Sequence, residues 1–152
     1  NYIALRERAL EASVKSNMHS AHAAIEEFNT IAGGYYPGDI DTKVRDVNPS
    51  VVGTVGELSL AAGTRVPPFP PEALLRPHPG FKNPFNPTYT VIENLLVPPP
   101  PVPLSTPGAP SGCTYYSSYE NDGTTPSGAG RAAGVYILTA FGADEPMTLV
   151  LP

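Results

Sequence analysis

Residues 2–34 read YIALRERALEASVKSNMHSAHAAIEEFNTIAGG, and the spacing within this stretch decides the architecture. Leu10, Val14, Met18, Ala21, Ile25, Phe28 and Ala32 recur at steps of three or four, which lines them along one stripe of an α-helix. The other face carries Arg8, Glu11, Lys15, His19, His22, Glu26 and Asn29, with Glu11 and Lys15, and His22 and Glu26, one turn apart. Gly33-Gly34 supplies the left-handed backbone that stops helices, and Pro37 prevents resumption. The expected element is one helix over about residues 2–32, roughly 45 Å long at about 1.5 Å per residue. That is longer than a domain of 152 residues needs to cover its core, so part of it is expected to project. Asn1 is placed to cap this helix, but Ala4 stands where a capping box wants Glu or Gln, and the apolar Tyr2, Ile3 and Leu5 lead the segment. The segment reads as the later part of a longer helix.

Outward from this helix the pattern changes. Val55–Leu60, Thr88–Leu96, Cys113–Tyr119, Ala133–Phe141 and Met147–Leu151 are short β-like runs separated by breakers. Fifteen of the 20 prolines lie between residues 66 and 110, including Pro98-Pro99-Pro100-Pro101-Val102-Pro103; proline donates no amide to a ladder, so Val91–Val97 is expected as an edge strand at most. A long helix followed by strands predicts an α+β domain, with Leu10, Val14, Met18, Ala21, Ile25 and Phe28 gluing the helix to an antiparallel sheet. One domain over 1–152 is expected: a helix at 1–34, a loop-rich variable region with short strands at 35–110, and C-terminal strands at 111–152.

Bulk properties exclude several classes. A net charge of -5 gives no clustered basic footprint for nucleic acid. Cys113 is the only cysteine, so no intrachain disulfide forms, and it reads as a small buried hydrophobe. No run approaches the roughly 20 apolar residues that span a bilayer, and both Asn-Pro-Ser/Thr sequences, at Asn48 and Asn86, carry the proline that forbids N-glycosylation. His19 and His22 lie on the polar helix face and His78 in a proline-rich segment, so neither a nucleophile–base set nor a metal triad is suggested, and no enzyme activity is expected. Asp39-Ile40-Asp41-Thr42 and Glu120-Asn121-Asp122-Gly123 are oxygen-rich turns, read first as Asx turns. The proline run at 98–103 reads as a stiff surface loop, with recognition by an aromatic groove as the alternative, and Tyr35, Tyr36, Tyr115, Tyr116 and Tyr119 as anchors of loops onto the sheet.

The run Asn1-Tyr2-Ile3-Ala4-Leu5-Arg6-Glu7-Arg8-Ala9 through Val14-Lys15-Ser16-Asn17-Met18-His19, ending in Gly33-Gly34-Tyr35-Tyr36-Pro37, resembles the second half of the N-terminal helix of bacterial type IV pilins and type II secretion pseudopilins. Lys82-Asn83-Pro84-Phe85 resembles a later element of that family, and Gly134-Val135-Tyr136-Ile137 with Gly142-Ala143-Asp144 resembles its late strand and turn. The likeness covers about the first 37 residues well and the rest loosely. It implies a pilin-like fold and an apolar, membrane-anchoring half-helix upstream of Asn1, which would hold the family's methylated first residue and assembly glutamate. It also implies calcium as a candidate ligand of Glu120 and Asp122, and departs from many pilins in that Cys113 has no partner for a C-terminal disulfide.

The function implied is a structural subunit of an extracellular type IV pilus filament serving adhesion, motility or DNA uptake. Its partners would be copies of itself or related pilins and the inner-membrane assembly machinery, and it would be membrane-anchored before assembly. Tyr2, Ile3, Leu5, Arg6 and Arg8 are the expected filament-packing residues. A pseudopilin of a type II secretion system is the alternative, and an extracellular protein- or carbohydrate-binding module is a second.

Overall fold

A computed structural model describes residues 1–76, 80–95 and 111–142 and the strand Pro146–Val150. The stripe read from the sequence forms α1, Tyr2–Ile31, a helix of 30 residues. Asn1 caps it by accepting the Ile3 amide at 3.1 Å, and beyond the C-cap Ala32 the chain turns through Gly33 and Gly34, both at positive φ. Then follow β1 (Tyr36–Pro37), the short helices α2 (Val44–Val47) and α3 (Gly53–Gly56), β2 (Ile92–Asn94), β3 (Thr114–Tyr119), β4 (Ala132–Ala133), β5 (Val135–Phe141) and β6 (Pro146–Val150).

The main sheet has the order β2-β3-β5-β6, and β1 pairs with β4 in a two-stranded sheet. Register places Thr114 opposite Ala140, Tyr116 opposite Leu138 and Ser118 opposite Tyr136, so these six share one face by the two-residue alternation of a strand. Val14, Met18, Ala21, Ala24, Ile25, Phe28 and Ala32 of the helix segment are buried in one cluster with Val91, Ile92, Tyr116, Tyr136, Leu138 and Ala140. At about 1.5–3 kcal/mol for each large side chain, Val14, Met18, Ile25 and Phe28 supply most of the adhesion between the layers. The opposite face of β3 and β5 is buried too, through Tyr115, Ser117, Tyr119, Ile137 and Thr139.

The α+β class read from the sequence holds, with four corrections. The main sheet is mixed, because β2 runs parallel to β3 while the β3–β5 and β5–β6 pairs are antiparallel. Parallel neighbours need a long connection, and the chain has one between Asn94 and Thr114. Val55–Leu60 is not a strand: it begins in α3, and Ser59 makes only an isolated bridge to Ala73. Its backbone groups pair one at a time with loops, as in Val44 N–H to Leu58 O (2.9 Å) and Ala61 N–H to Ile40 O (3.0 Å), so Leu60 and Ala61 reach the core without a ladder. Leu10, expected in the core, is only half-buried, because the helix is already leaving the sheet there. The strand expected over Thr88–Leu96 contracts to β2 at the edge of the sheet, as proline neighbours require. The proline run at 98–103, His78, Asp144 and the end of the chain lie outside the described residues.

Asn83 explains the Asn-Pro-Phe element physically. Fully buried, it donates to Thr90 O (3.1 Å) and Ser111 O (2.8 Å) and accepts the amides of Phe85 (3.0 Å) and Asn86 (3.3 Å), so each of its amide atoms is satisfied. A Cβ at Gly112 would fall 2.4 Å from Asn83 Oδ1, and Gly112 also has a φ of 83°, so only glycine fits beside the knot. Asn17 of α1, likewise buried, ties the same region to the helix through Lys82 O at 2.8 Å.

Candidate functional site

No residue among the first 13 is buried, whereas from Val14 onward the apolar stripe is covered. Glu11 lies against the end of β5: its carboxylate would stand 2.9 Å from a Cβ on Gly142. Among residues 2–10, Ala4, Glu7 and Leu10 are half-buried and the others are exposed. Tyr2 is 80% exposed, and Ile3 and Leu5 are each 64% exposed. Arg6 and Arg8 are exposed beside them and, among the described residues, neither has an ion-pair or hydrogen-bond partner. Tyr2, Ile3, Leu5, Arg6 and Arg8 are thus all exposed at the start of α1.

The upper half of α1 is tied down by polar contacts that the sequence spacing did not reveal. Tyr136 on β5 and Tyr36 on β1 both donate their hydroxyl protons to Glu26 Oε1, at 2.9 and 3.3 Å. His22 Nδ1 lies 2.7 Å from the Tyr136 hydroxyl. Since Tyr136 gives its one proton to Glu26, His22 must carry the proton on Nδ1 and donate. Burial, then the Glu26 carboxylate, holds Tyr136 and Tyr36 in the neutral form by raising their pKa values. Tyr116, packed 5.8 Å from the Tyr136 ring, donates to Pro37 O at 2.5 Å, and burial raises its pKa too. Sequence reading put His22 and Glu26 on the solvated face; the signal it missed was that each has a tyrosine across the layer. His19 remains exposed.

The oxygen-rich turn at Glu120–Gly123 spends its carboxylates locally. Asp122 accepts the amides of Thr124 (2.9 Å) and Thr125 (2.8 Å) and the Thr125 hydroxyl (2.5 Å), and these bonds, the hydroxyl's first, pull its pKa down to about 2. Glu120 faces Arg131 at 3.8 Å. A calcium ion here would have to displace bonds that Asp122 already makes. Asp39 forms a similar turn, accepting the Asp41 amide and the Thr42 hydroxyl at 3.0 and 2.8 Å. Among the described residues no three His, Cys, Asp or Glu side chains gather around a common point, and no helix is long and apolar enough to cross a membrane. Cys113 is buried, which pushes its thiol up to about 12. No protein-family model, curated protein or solved structure matches the chain.

Proposed function

We propose that the chain is the globular part of a pilin-like subunit, a building block of an extracellular or cell-surface filament. The observation that carries this reading is the division of α1 into a half that is glued to the sheet and a free half that exposes Tyr2, Ile3 and Leu5. The likeness of residues 1–37 to the later part of the pilin N-terminal helix supports it independently. In this reading an apolar half-helix precedes Asn1, anchors the precursor in the inner membrane and then packs into the filament axis, while the free turns at residues 2–10 lie between that axis and the globular shell. Neighbouring subunits bury the apolar groups there and pair Arg6 and Arg8 with acids. The chain acts by assembly and carries out no catalysis of its own.

The test is to raise antibody against this chain and label sheared surface filaments from cells that express the native gene. Labelling along the filament length is the expected result. Filaments that never label, or a native gene product with no apolar segment ahead of Asn1, would sink the reading.

A further inference from the structure

We propose that the end of the molecule remote from Tyr2 carries a socket for the start of α1 of a second copy, so that copies join head to tail. This rests on the filament reading and specifies which two surfaces meet. Two exposed apolar patches lie at opposite ends of α1, about 45 Å apart. Tyr2, Ile3 and Leu5 are the exposed large apolar residues at one end, and Tyr35, Val52 and Val55 those around the other, with Val52 78% exposed. The second is held at the helix C-terminus because Asn48 donates to Ala32 O at 3.1 Å, pinning the loop that leads into α3. Tyr35 follows three residues after Ala32. Two unlike patches on one chain make a heterologous contact, which repeats without closing on itself.

Charge says what fits the second patch. Thr54, between Val52 and Val55, lines a cavity of about 590 Å³ with Asp41, Lys43, Glu57, Pro71 and Glu72. Lys43 is spent on Glu57 at 2.6 Å, Arg45 also pairs with Glu57, and Asp41 is paired with Arg65 at 3.2 Å. Glu72 is exposed and, among the described residues, its carboxylate has no partner. Arg6, one turn from Tyr2 and Ile3 on the same helix, is a cation without a partner among the described residues and matches it. Val52 and Val55, either side of Thr54 in the chain, receive Tyr2, Ile3 and Leu5 while Arg6 enters the cavity beside Glu72.

Self-association of this chain, measured by sedimentation over graded concentration and ionic strength, tests the socket with Arg6→Glu, Glu72→Arg and the double variant. Both side chains are exposed, and equal melting temperatures will check that the fold is intact. Weak, salt-sensitive association is expected, weakened about tenfold by either reversal and restored in the double variant, where Glu at position 6 meets Arg at 72. A chain monomeric at millimolar concentration, or a double variant no better than the singles, overturns the proposal. As a second measure, mixing Leu5→Cys and Val52→Cys chains under oxidation should give the unlike disulfide, with the buried Cys113 silent; like-with-like products overturn it. Membrane-anchored chains that build normal filaments with either reversal alone reject the socket and leave the filament reading standing. Rescue by the double variant, in cells whose filaments never contain the chain, does the opposite.

Discussion

The two halves of α1 share one backbone and one helical period, yet their surroundings are opposite. From Val14 to Ala32 the apolar residues are buried against the sheet, and even the polar side carries His22 and Glu26 into contact with Tyr136. From Tyr2 to Ser13 no residue is buried, and the large apolar Tyr2, Ile3 and Leu5 are exposed. A hydrophobic side chain therefore does different work along one helix: in the upper half it holds the domain together, and in the lower half it stays exposed.

The largest effect is expected in the upper half. Phe28→Asp places a charge where nothing is exposed and removes the ring, a loss of at least about 4 kcal/mol, comparable with the whole stability of a small domain. Circular dichroism should show an unfolded chain, and a cooperative melt near the wild-type temperature would break the comparison. Asn83→Ala leaves two backbone carbonyls and two amides without their partner and should cost about 2–4 kcal/mol, read from urea denaturation. A loss under about 1 kcal/mol would mean that this knot does not hold the loops to the helix-bearing face.

Smaller effects sharpen the contrast. Tyr136→Phe removes the acceptor of His22 and one donor to Glu26, and should cost about 1 kcal/mol in the same denaturation assay. Alkaline titration gives a second readout. Tyr36, Tyr115, Tyr116, Tyr119 and Tyr136 all have folded-state pKa values raised, by burial first. As the pH rises past about 10 the unfolded chain loses these protons while the folded chain keeps them, so stability should fall above that pH, and less steeply in Tyr136→Phe. A melting temperature flat from pH 9 to about 11.5 would show that these hydroxyls are not held neutral. Leu5→Asp, in the free half, should shift stability by less than about 0.5 kcal/mol in the isolated chain. A larger loss would mean that this half packs on the domain after all.

The helix was legible because its evidence is local: Leu10 to Ala32 repeats at the helical period, Asn1 is a good cap and Gly33-Gly34 a good stop, all readable without knowing what lies opposite. The strands β3, β5 and β6 were legible for the same reason, as alternating or apolar runs between breakers. Val55–Leu60 misled because apolar residues at strand spacing are also what a loop uses to drop single side chains into a core, and only the pairing partners distinguish the two. The parallel setting of β2, the Glu26–Tyr136–His22 contact and the four bonds of Asn83 each join residues far apart in the chain, so no local window contains them.

What the sequence alone determined, then, is the set of elements with strong short-range patterns and the presence of Tyr2, Ile3 and Leu5 at the head of the helix. Where along α1 the domain ends was decided only by tertiary structure. The apolar stripe runs on through Leu10 without a break, but the sheet is finite: β5 ends at Phe141 and the helix does not. The length of one layer against the other, which no residue encodes by itself, is what separates the part of the helix that is core from the part that stays exposed.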